Sequence, residues 1–599
     1  MLPTEEVQQG RVPLGAWLRR ITIGSSYEGI EKTMQPYKLL VIGMDGATFD
    51  LILPWASENR LPHLASLIRK GTSAFLRSTV PPMTPPAWAS FFTGKNPGKH
   101  GVFDFIELKP GSYDFRFTNG GSVQAKSLWR LLSEAQKKVG ILNVPMTYPP
   151  ERVNGYLISG LDAPDEKSSF TYPPDLYKTL REAIGDYQID IRHLGNMRGD
   201  RERDLTLQAF QEIEERRGAA ARFLMEKYPA DLTVVVFNAT DQVQHHFWHY
   251  MDPQHPQHDP VGAKKYGQAI FNIYRQVDEQ IGNLLQTLPE DTLVFVVSDH
   301  GAGATSNLGL YLNHYLHQIG LLNFENKSLS KSWLHQSAEK VDTLLRSTLS
   351  SKQKARLARL FPRLRTKLES WAAAPLDWAS TRAYVNEAYI FSPSIWINLK
   401  GRRPQGVVEP GKEYEALIQF LIEKLYQLKD PDTGQQVIKK VYRKEEIYHG
   451  RYMDQAPDLI LSWWEENSFT VKTSQVERIG LPVLERDTSP IVGGRDLSGA
   501  HRLHGILIMS GGPIKQGLTL SEAQIIDVAP TILYLMGRPI PEDFDGRVLT
   551  EAMEEAFTRE HPPKYQQDKE SQGERSDTGY SEEDMEKIRE RLQGIGYLD

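Results

Sequence analysis

Three aspartates, a threonine and a scatter of histidines stand where this 599-residue chain could do chemistry. Asp45 closes the run KLLVIGMDG, Asp241 closes DLTVVVFNATD, and Asp299 with His300 closes DTLVFVVSDHG. A lone aspartate after an apolar run usually forms a turn or caps a helix. Three that converge on one crevice repel one another unless a cation lies between them. Asp241 and His245 are four residues apart, so on a helix they share a face and can grip one ion. Asp299 and His300 are adjacent at a strand end, where a turning backbone can present both. Mixed Asp and His ligands without cysteine suit zinc, manganese or iron better than calcium.

A second segment reads VPPMTPPAWASFFTGKNPGKHGVFDF. Thr84 precedes two prolines and then an apolar helical stretch. Proline is at home in the first turn of a helix, so Thr84 is expected at a helix N-terminus, where backbone donors and the dipole favour an anion such as phosphate. A threonine hydroxyl is a poor nucleophile at neutral pH, and coordination to a metal can turn it into an alkoxide. The plainer alternative is that Thr84 is only an N-cap. Two complete metal sites need one more ligand. The segment SGAHRLHGILIMSGGPI offers His501 and His504, and His501 is preferred because it lies in a Gly-x-His turn just ahead of the strand GILIMSG.

The elements that must hold these residues follow from patterning. The runs ending at Asp45, Asp241 and Asp299 read as buried parallel strands. Between them lie amphipathic stretches over 174–185, 203–227 and 263–287. Strands alternating with helices predict a doubly wound, mostly parallel α/β sheet, with the ligand site beyond the carboxyl ends of the strands. The pattern divides the chain into a leader outside the fold over 1–36, a first part of the core over 37–312, an inserted α+β cap over 313–480, a second part of the core over 481–556, a polar linker over 557–580 and a C-terminal helix over 581–599. Within the cap, a helix is expected near 411–428, and the basic stretch 351–369 reads as a solvated helix or a contact surface. Ser581, with Glu583 and Asp584 close behind, suits a helix start, and Gly594 suits its end.

Composition sets outer bounds. The chain is 40% hydrophobic and 24% charged, with a net charge of −6, which argues against a protein that coats nucleic acid. It contains no cysteine, which excludes disulfides and a thiol nucleophile and fits a reducing, cytoplasmic setting. No apolar run reaches the roughly 18 residues of a membrane-spanning helix. The first residues lack the basic and apolar regions of a secretory signal.

Taken in order, Asp-Gly after the first strand, Thr before Pro, Asp-x-x-x-His, Asp-His-Gly and a late Gly-x-His resemble the alkaline phosphatase superfamily. The likeness is greatest to its type I phosphodiesterase/nucleotide pyrophosphatase branch, in which Thr-x-Pro is followed by Thr-Gly and His-Gly. Here Thr84, Pro86, Thr93-Gly94 and His100-Gly101 keep that order. The segments NVPMTYPPERVNGYLISG, DVAPTILYLMG and GIGYLD are similar to a prokaryotic group described as phosphohydrolases or phosphomutases. The resemblance covers about 38–312 and 495–548.

The resemblance implies an alkaline-phosphatase-type fold and two divalent metals, zinc or manganese, about 4 Å apart. It implies Asp241, His245 and His501 on one metal, and Asp45, Asp299 and His300 on the other with Thr84 bound to it. Thr84 would attack phosphorus and pass through a phospho-enzyme intermediate. His100 is expected to shape a turn. There are departures. Nucleotide pyrophosphatases carry an asparagine after His-Gly, whereas this chain reads VFDF, with Phe105 or its neighbour at the matching position and Asp104 beside it. This argues against nucleotide diesters. No Cys/Ser-x-Pro-x-Arg occurs, which argues against a sulfatase. The leading expectation is a phosphoester hydrolase of phosphodiesterase type acting on a small molecule, with specificity set by the cap. The alternatives are a phosphomutase or phosphotransferase on the same site, and a non-enzymatic metal-bound protein.

Overall fold

The computed structural model describes residues 36–109, 111–191, 197, 199–325, 376–387, 393–466, 468–475, 478–491, 497–567 and 580–594. Residues 1–35 of the expected leader, the basic stretch 351–369 and the last five residues lie outside them.

The apolar runs form strands that are buried along their whole length, as β-branched and large apolar residues do when both faces of a sheet are covered. Leu39–Met44, Leu232–Phe237 and Leu293–Val297 are buried at every position. They belong to a nine-stranded sheet. Its order is Leu518–Gln524, Gly71–Arg77, His504–Ser510, Leu293–Val297, Leu39–Met44, Leu232–Phe237, Val139–Val144, Gly155–Ser159, Thr171–Tyr172. Pairing is parallel except where His504–Ser510 runs against both its neighbours and where Thr171–Tyr172 closes one edge. Side chains alternate between two core layers: Leu40, Ile42 and Met44 pack on one face, Leu39 and Val41 on the other. The fold is a doubly wound, mostly parallel α/β sheet.

Register decides where the strands end. Leu39–Met44 lies between Leu232–Phe237 and Leu293–Val297, with Met44 opposite Phe237 and Gly43 opposite Val297. The three strands therefore finish level, and Asp45 donates its N–H to Phe237 O at 2.9 Å. The expected helices appear as Leu176–Ile184, Asp200–Lys227, the pair Ala263–Tyr266 and Ala269–Leu285, and Lys412–Tyr426.

Strands Ala383–Val385, Ser394–Ile397, Leu459–Leu461 and Val441–Arg443 form a separate antiparallel sheet in that order. The helix Lys412–Tyr426 buries Leu417, Ile418, Leu421 and Leu425. These residues share one apolar cluster with Val80, Met83, Phe103 and Phe105. A three-stranded sheet joins Leu308–Leu310 with Thr470–Val471 and Leu484–Arg486, so strand pairs bridge both ends of the 313–480 segment. Residues 557–567, placed in a polar linker by composition, instead complete the helix Glu555–Glu560 and supply Tyr565–Gln566, which pairs with Ile540–Pro541. Composition missed them because one residue, Phe557, packs on the core against Tyr37 and Tyr534, without apolar periodicity around it. The helix Glu582–Gly594 starts as expected, with Ser581 Oγ accepting the Asp584 N–H at 3.1 Å. Among the described residues no helix is long and apolar enough to cross a membrane.

Candidate metal centre and nucleophile

All seven side chains singled out above are buried, between 0% and 4% exposed. Asp45 is delivered by the central strand, and Gly46 after it takes φ +65°, a left-handed turn that glycine tolerates. A Cβ on Gly46 would lie 2.6 Å from Asp241 Oδ1, so the missing side chain lets the turn after the central strand meet the first turn of the helix Ala239–Met251. Asp241 and His245 share a face of the helix Ala239–Met251, with His245 Nε2 3.2 Å from Asp241 Oδ1. His300 leaves its strand with Nε2 3.2 Å from Asp299 Oδ2 and 3.6 Å from Asp45 Oδ1.

His501 arrives from 200 positions further along the chain. Gly499–Arg502 pairs antiparallel with Gly301–Ala304, and His501 lies opposite Ala302. Its Nε2 is 3.1 Å from His245 Nε2 and 3.6 Å from Asp241 Oδ1. Its ring stacks on His300 with centroids 3.6 Å apart. His504 is exposed and opens the neighbouring strand. His100 is also outside the cluster. Its Nδ1 accepts the Val102 N–H at 3.2 Å and Ser90 Oγ is 2.9 Å from its Nε2, so it shapes a turn.

Thr84 is the first residue of the helix Thr84–Thr93, and the N-cap is Met83, which makes no side-chain cap bond. The Thr84 hydroxyl is not a cap: Oγ1 lies 3.3 Å from His300 Nε2. One expectation needs correction. Pro85 and Pro86 have no N–H, so of the first three helical positions only Thr84 offers a backbone donor. The helix end contributes less to anion binding than its position suggests, and charge neutralisation falls to other groups.

The placement of the ring hydrogens decides whether the cluster can take a cation. Nδ1 of His245, His300 and His501 lies against Gly499 O at 2.8 Å, Gly301 O at 3.1 Å and Pro82 O at 2.8 Å. A carbonyl only accepts, so each ring carries a hydrogen on Nδ1, and in its neutral form turns an Nε2 lone pair inward. Asp45 Oδ1 and Asp299 Oδ2 are buried and accept no hydrogen bond. Lone pairs thus face carboxylates, which is a donor set that fits divalent metal ions. Two groups have ligand atoms within 4.8 Å of one another: Asp241, His245 and His501, and Asp45, Asp241 and His300. Asp241 belongs to both. Asp299, assigned to the second by resemblance, flanks it through His300.

Crowding shows in the proton affinities. Burial, with Asp299 and Asp241 alongside, pushes the Asp45 carboxyl well above the usual range, and burial raises Asp299. Burial would raise Asp241 too, but His245 and His501 beside it hold it below that range. Burial and the neighbouring His300 push His501 well below the usual imidazole value.

Supporting residues that sequence reasoning missed surround the cluster. Trp88 Nε1 donates to Asp45 Oδ2 at 3.3 Å, one helical turn after Thr84. It fits because a Cβ on Gly43 would come within 2.6 Å of its ring. Ser298 Oγ accepts from Ala47 N–H at 2.8 Å and donates to His300 O at 2.6 Å. Thr240 Oγ1 donates to Asp45 O at 2.6 Å. For Thr240 and Ser298 the signal in the sequence was adjacency to Asp241 and Asp299, and Trp88 carried none.

A family model for type I phosphodiesterase/nucleotide pyrophosphatase matches residues 39–482. No curated protein matches the chain. Human ectonucleotide pyrophosphatase/phosphodiesterase 5 aligns at 12% identity with a TM-score of 0.46, over 86% of this chain and 99% of that one. Its murine counterpart aligns at 13% identity with a TM-score of 0.45, over 86% of this chain and 100% of that one. An inactive murine variant in complex with AMP aligns at 13% identity and a TM-score of 0.47, over the same shares.

Proposed function

This chain belongs to the type I phosphodiesterase/nucleotide pyrophosphatase family and is a phosphoric ester hydrolase, and from that membership we propose that it cleaves small-molecule phosphoesters by attack of Thr84 on phosphorus. Asp241, His245 and His501 would hold one divalent cation. Asp45, Asp299 and His300 would hold the other, next to Thr84. A divalent ion such as zinc or manganese held there would supply the positive charge that offsets phosphate oxygens and lowers the proton affinity of the Thr84 hydroxyl.

The remaining work falls to the chain. Thr84 Oγ1 lies 3.3 Å from His300 Nε2, which places the attacking oxygen beside the group that would hold the cation. As Oγ1 attacks, the hydroxyl gives its proton to solvent, the Oγ1–P bond forms and the P–O bond to the leaving group breaks on the far side. The leaving oxygen takes up a proton. Water then attacks phosphorus and the Oγ1–P bond breaks, so that phosphate or a monoester departs and Thr84 regains its hydrogen. The three carbonyls that face Nδ1 of His245, His300 and His501 orient the rings so that Nε2 points into the cluster.

The observation that carries this reading is Thr84 itself: a buried hydroxyl that caps nothing and ends beside the aspartate–histidine cluster. The test is the full chain stripped of metal, resupplied with Zn²⁺ or Mn²⁺, and assayed on a phosphodiester, a phosphomonoester and a sulfate ester. We expect phosphoester turnover only with metal, and acid-quenched protein carrying a phosphoryl group on Thr84. Thr84→Ala should lower kcat by about a thousandfold or more and leave metal uptake in place. Near-normal turnover by Thr84→Ala would overturn the mechanism.

A further inference from the structure

A cleft of about 250 Å³ lies between the antiparallel cap sheet and the segment that follows His100. Phe103 and Ile106 give it an apolar wall, and Trp396 and Arg403 face them from the cap side. The segment is tied to the nucleophile loop: Phe103 packs on Tyr448 with ring centroids 5.1 Å apart, and the Tyr448 hydroxyl donates to Val80 O.

Two consecutive arginines border the cleft and differ in their partners. Arg402 donates from Nη1 to Asp458 Oδ1 at 2.9 Å and from Nη2 to Ile397 O at 2.6 Å. Its charge is matched by a buried carboxylate. Arg403 is 9% exposed, and its Nε, like that of Arg402, is buried without a hydrogen-bond partner. Its guanidinium carbon lies 5.0 Å from the centre of the Trp396 ring. The Tyr384 hydroxyl lies beside it as well, and neither neighbour is anionic. Among the described residues no carboxylate forms an ion pair with it, whereas Arg402 pairs with Asp458. A guanidinium this buried calls for an anion, and contact with an aromatic face replaces only part of the lost hydration.

The rim narrows the choice of anion. Asp104 and Asp454 border the cleft, Asp454 in an exposed position. Glu107 also borders it and is held by Arg116 Nε at 2.7 Å. Carboxylates at the mouth disfavour a doubly charged phosphate more than a singly charged group. A planar carboxylate matches the fork of a guanidinium, and an apolar arm suits Phe103 and Ile106.

We propose that this cleft, through Arg403 and Trp396, binds a carboxylate borne on an apolar or aromatic arm of the substrate, away from the reacting phosphorus. Its role in substrate choice rests on the phosphoesterase reading above, whereas the binding itself does not.

The experiment has two arms, both on the full chain. In the first, chelator-treated protein is titrated with benzoate and with inorganic phosphate by calorimetry. Benzoate is expected to bind, Arg403→Gln to weaken it at least tenfold, Arg403→Lys to weaken it less, and phosphate to bind at least tenfold more weakly than benzoate. Circular dichroism confirms that each variant is folded, and Trp396→Phe, which keeps the guanidinium, is expected to weaken benzoate severalfold. Absence of benzoate binding, equal affinity in folded Arg403→Gln, or equal affinity for phosphate overturns the proposal. In the second arm, metal-loaded protein is assayed on p-nitrophenyl phosphodiesters whose other arm is 4-carboxyphenyl or phenyl. The wild type is expected to prefer the carboxylate about tenfold in kcat/KM, and Arg403→Gln to bring the ratio near one. A ratio near one in the wild type overturns the role in substrate choice. Failure to turn over either ester counts against the phosphoesterase reading and leaves the calorimetric arm to decide the cleft.

Discussion

Two clusters of buried charge meet the helix Ala239–Met251 within its first turn, and they are solved in opposite ways. Glu214 and Arg217 are fully buried and paired at 2.6 Å. Glu214 Oε1 accepts the Ala239 N–H at 2.6 Å, and Arg217 donates to Asn238 Oδ1 at 2.6 Å and Ile189 O at 3.0 Å. Two residues after Ala239, Asp241 opens the other cluster. There three carboxylates crowd together, and among the described residues no lysine or arginine pairs with Asp45 or Asp299. A buried carboxylate needs a fixed cation, a proton or a metal. The first cluster carries its own cation and holds the helix in place. The second is built to take its positive charge from outside.

The largest effect should come from neutralising the incomplete cluster. Asp45→Asn is expected to lower kcat by about a thousandfold, about 4 kcal/mol. In chelated protein it should leave the melting temperature unchanged or raise it, because a repelling charge is gone. A melting temperature several degrees lower in the metal-free variant would break the comparison.

Next comes the complete cluster. Glu214→Ala leaves Arg217 as a lone buried charge and is expected to cost about 3–5 kcal/mol in urea unfolding, equally with and without chelator. A loss seen only in metal-loaded protein would merge the two clusters into one. Zn²⁺ at a hundred times its dissociation constant should stabilise the wild type by about 2.7 kcal/mol. His501→Ala is expected to remove most of that gain, as read by differential scanning calorimetry.

Asp162 offers a third solution, the proton. It accepts N–H bonds from Met146 at 3.0 Å and Tyr148 at 2.6 Å, yet burial pushes its carboxyl up to about 6. Because the folded value lies above the unfolded one, the folded chain holds the extra proton between about pH 4 and 6. Stability from this group is therefore full below about pH 4, falls as pH rises to about 6, and is flat beyond. The stability difference between wild type and Asp162→Asn is expected to change by on the order of 2–3 kcal/mol across that range, measured by urea unfolding. The smallest effect is expected at His504→Ala, with unchanged metal uptake and a stability change under about 0.5 kcal/mol. Loss of metal in that variant would move the ligand three residues along the chain.

Much of the crevice was legible because its residues sit where short-range rules apply. An Asp and a His four apart on a helix share a face, and Asp45 and Asp299 end fully apolar runs. Trp88 and Ser298 were not legible as partners of Asp45, Ala47 and His300. Nothing in an isolated Trp or Ser says which distant polar atom it will meet. Tyr565–Gln566 escaped for a similar reason, since a two-residue strand has no period to read.

The sequence by itself determined the kinds of element, the alternation of strand and helix, and the delivery of acids to strand ends, because backbone periodicity and apolar runs are local properties. Tertiary structure alone decided that His501 rather than His504 faces the acids, that Asp241 belongs to both groups of side chains that could hold a metal, and that among the described residues Arg403 has no carboxylate partner while Arg402 has one. Each of these depends on strand register or on packing between segments tens to hundreds of residues apart. An ångström of displacement there changes which lone pair faces which charge.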